Sequence, residues 1–160
     1  MQRRLTKIKY KLGDFTVINW TSGENNLDEY SVKCRDTPRP EFIRAMAELD
    51  KHVTEMCELP DNFIVKVHTR SVSLNYGGEN ETMGATITAQ MDLLKSNCPL
   101  NINTPNKTVD PYCEDTPWDE TICLTEECVD AINNLIKEAE LYLDGVRAQG
   151  TLFEVEKLTA

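Results

Sequence analysis

The alternation of Ala85, Ile87, Ala89 and Met91 with Thr86, Thr88 and Gln90 constrains this chain more than any other feature. Side chains two residues apart on a strand share a face, so the run predicts a strand with one apolar and one polar side. Such strands belong to antiparallel sheets covered on one face only. The same period opens the chain, where Ile8, Tyr10 and Leu12 alternate with Lys7, Lys9 and Lys11. Gly13-Asp14 offers a turn, Phe15 to Trp20 reads as the returning strand, and Ser22 to Asn26 as a polar loop. A third strand then places Tyr30, Val32 and Cys34 on one face, which completes a three-stranded meander.

Pro38-Arg39-Pro40 breaks this pattern and sets up a helix from Glu41, because proline suits a first helical turn. Phe42, Met46, Leu49, Val53 and Met56 recur at three- and four-residue steps, and Pro60 ends the run. Phe63 to Val67 and Val72 to Tyr76 alternate around His68, Thr69 and Arg70, as in one long bent strand or a strand with a bulge. Leu100 to Asn103 is a short further strand, and the stretch from Thr104 to Glu120, with three prolines, lacks a period. Thr125 is placed to cap a last helix with Val129, Ile132, Ile136, Ala139 and Leu143 as its stripe, widened by Leu135 and Tyr142, and Gly145 as its stop.

These elements predict a single α+β domain: a mainly antiparallel sheet of about six strands with two helices on one face, in the order β-β-β-α-β-β-β-α. The domain is expected over residues 1–146, with an irregular acidic segment at 104–124 and a C-terminal peptide tail at 147–160. At 40% hydrophobic and 28% charged residues, the 160-residue chain is apolar enough to bury a core. No run approaches the roughly 18 apolar residues of a membrane span. The opening Met1 to Lys7 holds no apolar signal core, so a cytoplasmic protein is expected, with Cys34, Cys57, Cys98, Cys113, Cys123 and Cys128 as thiols.

Seventeen Lys and Arg against 27 Asp and Glu give a formal charge of −10. That average excludes a protein that binds nucleic acid through a general excess of positive charge. The charge is unevenly spread, however. Asp110 to Asp144 holds eleven acids and one base, a local −10 that leaves the remaining residues neutral overall. Arg3, Arg4, Lys7, Lys9 and Lys11 contribute +5 at the other end. The acidic stretch is a solvated surface or, alternatively, a phosphate-like mimic that inhibits a basic host enzyme. Lys7, Lys9 and Lys11 either track a nucleic-acid backbone, extended by Trp20 and Arg70, or protect an edge strand from pairing.

No catalytic group stands out, and no enzyme or cofactor is expected. No spacing joins His52 or His68 to a cysteine nucleophile, and Gly77-Gly78 lacks the rest of a phosphate loop. His52 is expected beside the helix's polar face and His68 as an ordinary strand residue. Cys113, Cys123 and Cys128 are a metal alternative only, because zinc sites are usually announced by two close pairs. Asn101, Asn103, Thr104, Pro105 and Asn106 form either a recognition edge or a turn whose polar groups are internally satisfied.

The most specific short feature is Gln149-Gly150-Thr151-Leu152-Phe153. Leu152 and Phe153 are adjacent apolar anchors and Gln149 a polar hook, either for a partner's pocket or for folding back onto the domain. The peptide resembles the sliding-clamp-binding motif of bacterial replication and repair proteins, in which a Gln leads and a Leu-Phe pair fills a hydrophobic groove. It departs from that motif at Gly150, where leucine is common, and at Thr151. A second resemblance covers Met83 to Gln90, Asn97 to Lys107 and Pro38 to Phe42, which look like small uncharacterised proteins of bacteriophages and prophages. Together the resemblances imply a non-enzymatic phage accessory protein in DNA replication or recombination, with a host sliding clamp as partner through Gln149, Leu152 and Phe153. Direct DNA binding by the Lys7, Lys9 and Lys11 face is the alternative, and no membrane partner is expected.

Overall fold

A computed structural model of the chain describes residues 3–78, 80–111 and 117–148. Strands β1 (Arg4–Lys9), β2 (Thr16–Ser22) and β3 (Asp28–Cys34) are followed by helices α1 (Pro40–Ala47) and α2 (Asp50–Met56). Strands β4 (Val67–Gly77), β5 (Thr82–Met91), β6 (Leu100–Asn103) and β7 (Lys107–Thr108) and helix α3 (Glu126–Leu143) complete the described fold. The sheet is antiparallel with spatial order β3-β2-β1-β4-β5-β6, and β7 also pairs with β5. The class is therefore α+β. No helix among the described residues is long and apolar enough to cross a membrane.

One face of the sheet carries Leu5, Ile8, Ile18, Val67, Val72, Ala85, Ile87 and Ala89, and these form one buried cluster with Phe42, Leu49, Val53, Ile132, Leu135 and Tyr142 of the helix layer. Two bulges keep the apolar side chains on that face. Register slips between Leu5 and Lys7 in β1, and between Thr69 and Ser71 in β4. Leu5 and Ile8, and likewise Thr69 and Val72, are thus three apart yet all buried. The second bulge lies where the sequence expects one.

Other expectations need correction. Residues Asp61–Lys66 form a 3-10 helix, so β4 begins only at Val67. β1 stops at Lys9: Tyr10 donates its N–H to Arg70, the chain then turns with Asp14 donating to Lys11, and Leu12 is left 78% exposed. The expected first helix is two, joined at the buried Leu49. In α3 the buried stripe is Cys128, Ile132, Leu135, Ala139 and Tyr142, with Val129, Ile136 and Leu143 only at its flank. The Thr125 hydroxyl does accept from the Cys128 N–H, and Gly145, at φ 103°, follows the last turn.

The Thr104–Thr108 segment is not irregular. Thr104 exchanges two hydrogen bonds with Ile87, its N–H donating to the carbonyl and its hydroxyl accepting from the amide, and β7 then pairs with Gly84 and Ala85. Thr108 also accepts from Leu124 and donates to Ile122, which ties the 122–124 segment to β7. Arg39, just before α1, holds Glu138 of α3 through two bonds of 2.7 Å. That carboxylate is only 5% exposed and is held below the ordinary glutamate range by the Arg39 hydrogen bonds.

Candidate nucleic-acid interface

Lys7 and Lys9 project from the sheet face opposite the buried cluster. Their pairing partners fix what surrounds them. Lys7 lies opposite Asn19 on β2 and Ser73 on β4, and Lys9 opposite Val17 and Ser71. One strand further out, Asn19 meets Ser31 and Val17 meets Lys33, while Ser73 meets Thr86 and Ser71 meets Thr88. None of these residues is a carboxylate. Arg70 leaves the β4 bulge on the same face, where its Nε donates to Gln90 at 3.0 Å. Phe15 lies just before β2, with Lys33 Nζ 4.5 Å and Arg35 Cζ 5.0 Å from its ring centroid.

β1 sits between β2 and β4, so edge protection does not account for its lysines. The N-terminal cations divide in two groups. Arg3 binds Glu140 and Asp144 of the helix layer, and Arg4 binds Glu81 and lies over Tyr76. Among the described residues Lys7, Lys9 and Lys11 make no ion pair. Lys11 lies beyond the strand in the turn, exposed, rather than in line with Lys7 and Lys9. Trp20 does not extend the face: it stacks on Tyr30 at 5.6 Å and lies under Arg3 on the helix side.

The asparagines that follow β5 are largely satisfied within the fold. Asn103 accepts from Thr88, Asn101 from Gln90, and Asn106 from both Asn75 and Thr86. Gly84 makes room for the last pair, because a Cβ there would stand 2.5 Å from the Asn75 Oδ1. The result is a hydrogen-bonded polar surface of amides and hydroxyls on β5 and β6, beyond β4 from the lysines. A cluster of acids lies on the helix side, where Glu41, Glu48, Glu127, Asp130 and Glu138 line a groove between α1, α2 and α3, while on the lysine face itself Glu29 of β3 and Asp92, beside His68, stand towards its margins.

The cysteines and histidines occupy different surroundings. Cys123 and Cys128 line a cavity of about 510 Å³ with His52, Glu55 and Lys107. Burial pushes the Cys128 thiol up to about 11, with Glu55 adding to the shift, so it is uncharged at neutral pH. No group of three or more His, Cys, Asp or Glu among the described residues is placed to hold a metal ion, and Cys113 lies outside those residues. His52 is not on the polar face of its helix: it is 2% exposed, its ring nitrogens have no hydrogen-bond partner, and burial lowers its pKa. His68 Nε2 lies 2.9 Å from Asp92.

Gln149, Leu152 and Phe153 lie outside the described residues. The described chain ends as Ala148 donates its N–H to Thr37, between β3 and α1. No protein-family model, no curated protein and no solved structure matches the chain. Sequence reasoning missed Lys33, Arg35 and Phe15, which join Lys9 only through cross-strand register; the alternation at residues 15–19 and 30–34 was the available signal.

Proposed function

We propose that this protein is a non-enzymatic nucleic-acid accessory protein that lays the Lys7, Lys9, Lys33 and Arg70 face of its sheet along a phosphate backbone. The observation that carries the reading is the placement of two unpaired lysines on an interior strand, with amides and hydroxyls but no carboxylate among their sheet neighbours. Cations without acidic partners exchange their counterions for phosphates, and neutral hydrogen-bonding groups beside them position a sugar-phosphate chain. The acidic helix layer then serves orientation, since it repels a polyanion from the opposite side. Binding to labelled single- and double-stranded DNA over a series of salt concentrations tests this. Lys7→Glu/Lys9→Glu is expected to abolish most of the affinity, and Lys7→Ala/Lys9→Ala to reduce the slope of log affinity against log salt by about 2. Equal binding by wild type and both variants contradicts the reading.

The C-terminal peptide supports a second reading, in which the protein is a phage or prophage accessory factor docked on a host sliding clamp. The motif residues Gln149, Leu152 and Phe153 begin directly after the Ala148 to Thr37 hydrogen bond, the last contact the described domain makes. A clamp pull-down comparing wild type with Leu152→Ala/Phe153→Ala tests it, and equal capture removes it.

A further inference from the structure

The sheet has two unequal edges. β6, at one of them, is four residues long and bracketed by Pro99 and Pro105. β3, at the other, pairs with β2 in unbroken register over seven residues, contains no proline, and has no strand on its far side among the described residues. Such an edge presents a row of unpaired amides and carbonyls, which natural sheets blunt by shortness, bulges, proline or charge. β3 has none of the first three, and its charges, Asp28, Glu29 and Lys33, are of both signs and so can pair across the edge as well as repel.

We propose that β3 is a self-association edge, pairing antiparallel with β3 of a second copy of this chain about a two-fold axis through Ser31. A two-fold axis normal to the sheet keeps both helix layers on one side, so opposed residues must share a face and the axis must pass through a residue. Centring on Ser31 uses all seven residues of each strand. It sets Glu29 opposite Lys33 of the second copy, twice, and Tyr30 opposite Val32. Centring on Tyr30 leaves Lys33 opposite Leu27 and Asp28 opposite Val32, and centring on Val32 sets Glu29 against Arg35 but offsets those attractive pairs by setting Asp28 against Asp36. Charge complementarity therefore selects one register. The side chain at the axis is small and turned homeward, since the Ser31 hydroxyl donates to Asn19 on its own β2 at 2.6 Å. On the helix side Tyr30, stacked on Trp20 and still 42% exposed, gains the Val32 of the second copy as a cross-strand neighbour.

Sedimentation velocity of the full chain over a concentration series, with no nucleic acid present, tests this independently of the proposed function. Wild type is expected to show a concentration-dependent dimer. Glu29→Lys and Lys33→Glu each turn two attractive pairs into like-charge pairs and are expected to weaken it by about tenfold or more. Glu29→Lys/Lys33→Glu restores both pairs in reverse and is expected to recover the dimer. Circular dichroism confirms that each variant keeps its fold, all substituted side chains being exposed. A wild-type monomer at every concentration up to about 1 mM overturns the proposal. So does a dimer indifferent to the single variants, or one that the double variant fails to recover.

Discussion

One carboxylate oxygen of Asp50 accepts both the backbone N–H and the hydroxyl of Thr69, at 2.8 and 2.7 Å. Thr69 stands at the β4 bulge and Asp50 is the first residue of α2, so this contact fastens the helix layer to the sheet where the ladder is interrupted.

Asp50→Ala leaves the Thr69 amide without its acceptor and is expected to cost about 1–3 kcal/mol in urea unfolding. Asp50→Asn keeps the acceptor oxygen and is expected to remain close to wild type, because burial already raises the Asp50 pKa and penalises its charge. Equal loss in the two variants contradicts the hydrogen-bond account.

Two hydrogen-bonded carboxylates, Glu138 between α3 and the start of α1 and Asp50 between α2 and the sheet, respond oppositely to acid. Glu138, held low by its Arg39 hydrogen bonds, contributes stability that is present above the ordinary glutamate value of 4.5 and is lost as pH falls through its lower folded value. Asp50, raised by desolvation, instead sheds its burial penalty as pH falls through its raised folded value. Melting temperature against pH is therefore expected to fall less steeply in acid for Glu138→Gln than for wild type, and more steeply for Asp50→Asn.

Leu49 sits fully buried at the junction of the two short helices. Leu49→Ala is expected to destabilise by about 2–5 kcal/mol, as a cavity between α1, α2 and the sheet. A loss below about 1 kcal/mol, measured by chemical denaturation, would show that the junction collapses around the missing side chain.

Thiol reactivity should follow burial. Cys98 is exposed, while Cys123 and Cys128 are buried and the latter is pushed up to about 11. Among the described thiols, peptide mapping after brief alkylation near neutral pH is expected to find Cys98 modified first and Cys128 last, and early modification of Cys128 contradicts its position in the core.

Local periods made much of this architecture legible. The Ala85 to Met91 alternation survives intact in β5, and the Phe42, Met46, Leu49 and Val53 stripe faces the core although its helix is broken. What the sequence conceals is set by long-range contacts. Lys11 and Leu12 continue the alternation in sequence, but the chain turns away there, with the Asp14 N–H donating to the Lys11 carbonyl. β7 is two residues long and exists only by pairing with Gly84 and Ala85, more than twenty positions upstream. Within the candidate interface, Lys7 and Lys9 are visible as a pair, whereas the alignment of Lys9, Val17 and Lys33 depends on two strand registers. The interior position of β1, which excludes edge protection as the role of Lys7 and Lys9, depends on pairing with β4 across more than sixty residues.

Amide chemical-shift mapping of the full chain, titrated with a short single-stranded oligonucleotide at low salt, reads nucleic-acid contact with the Lys7 and Lys9 face residue by residue. Saturable shifts are expected in β1 around Lys7 and Lys9, in β2 and β3 at Asn19 and Lys33, and in β4 around Arg70, with α3 unmoved. Shifts confined to the helix layer, or none at all, would contradict that contact.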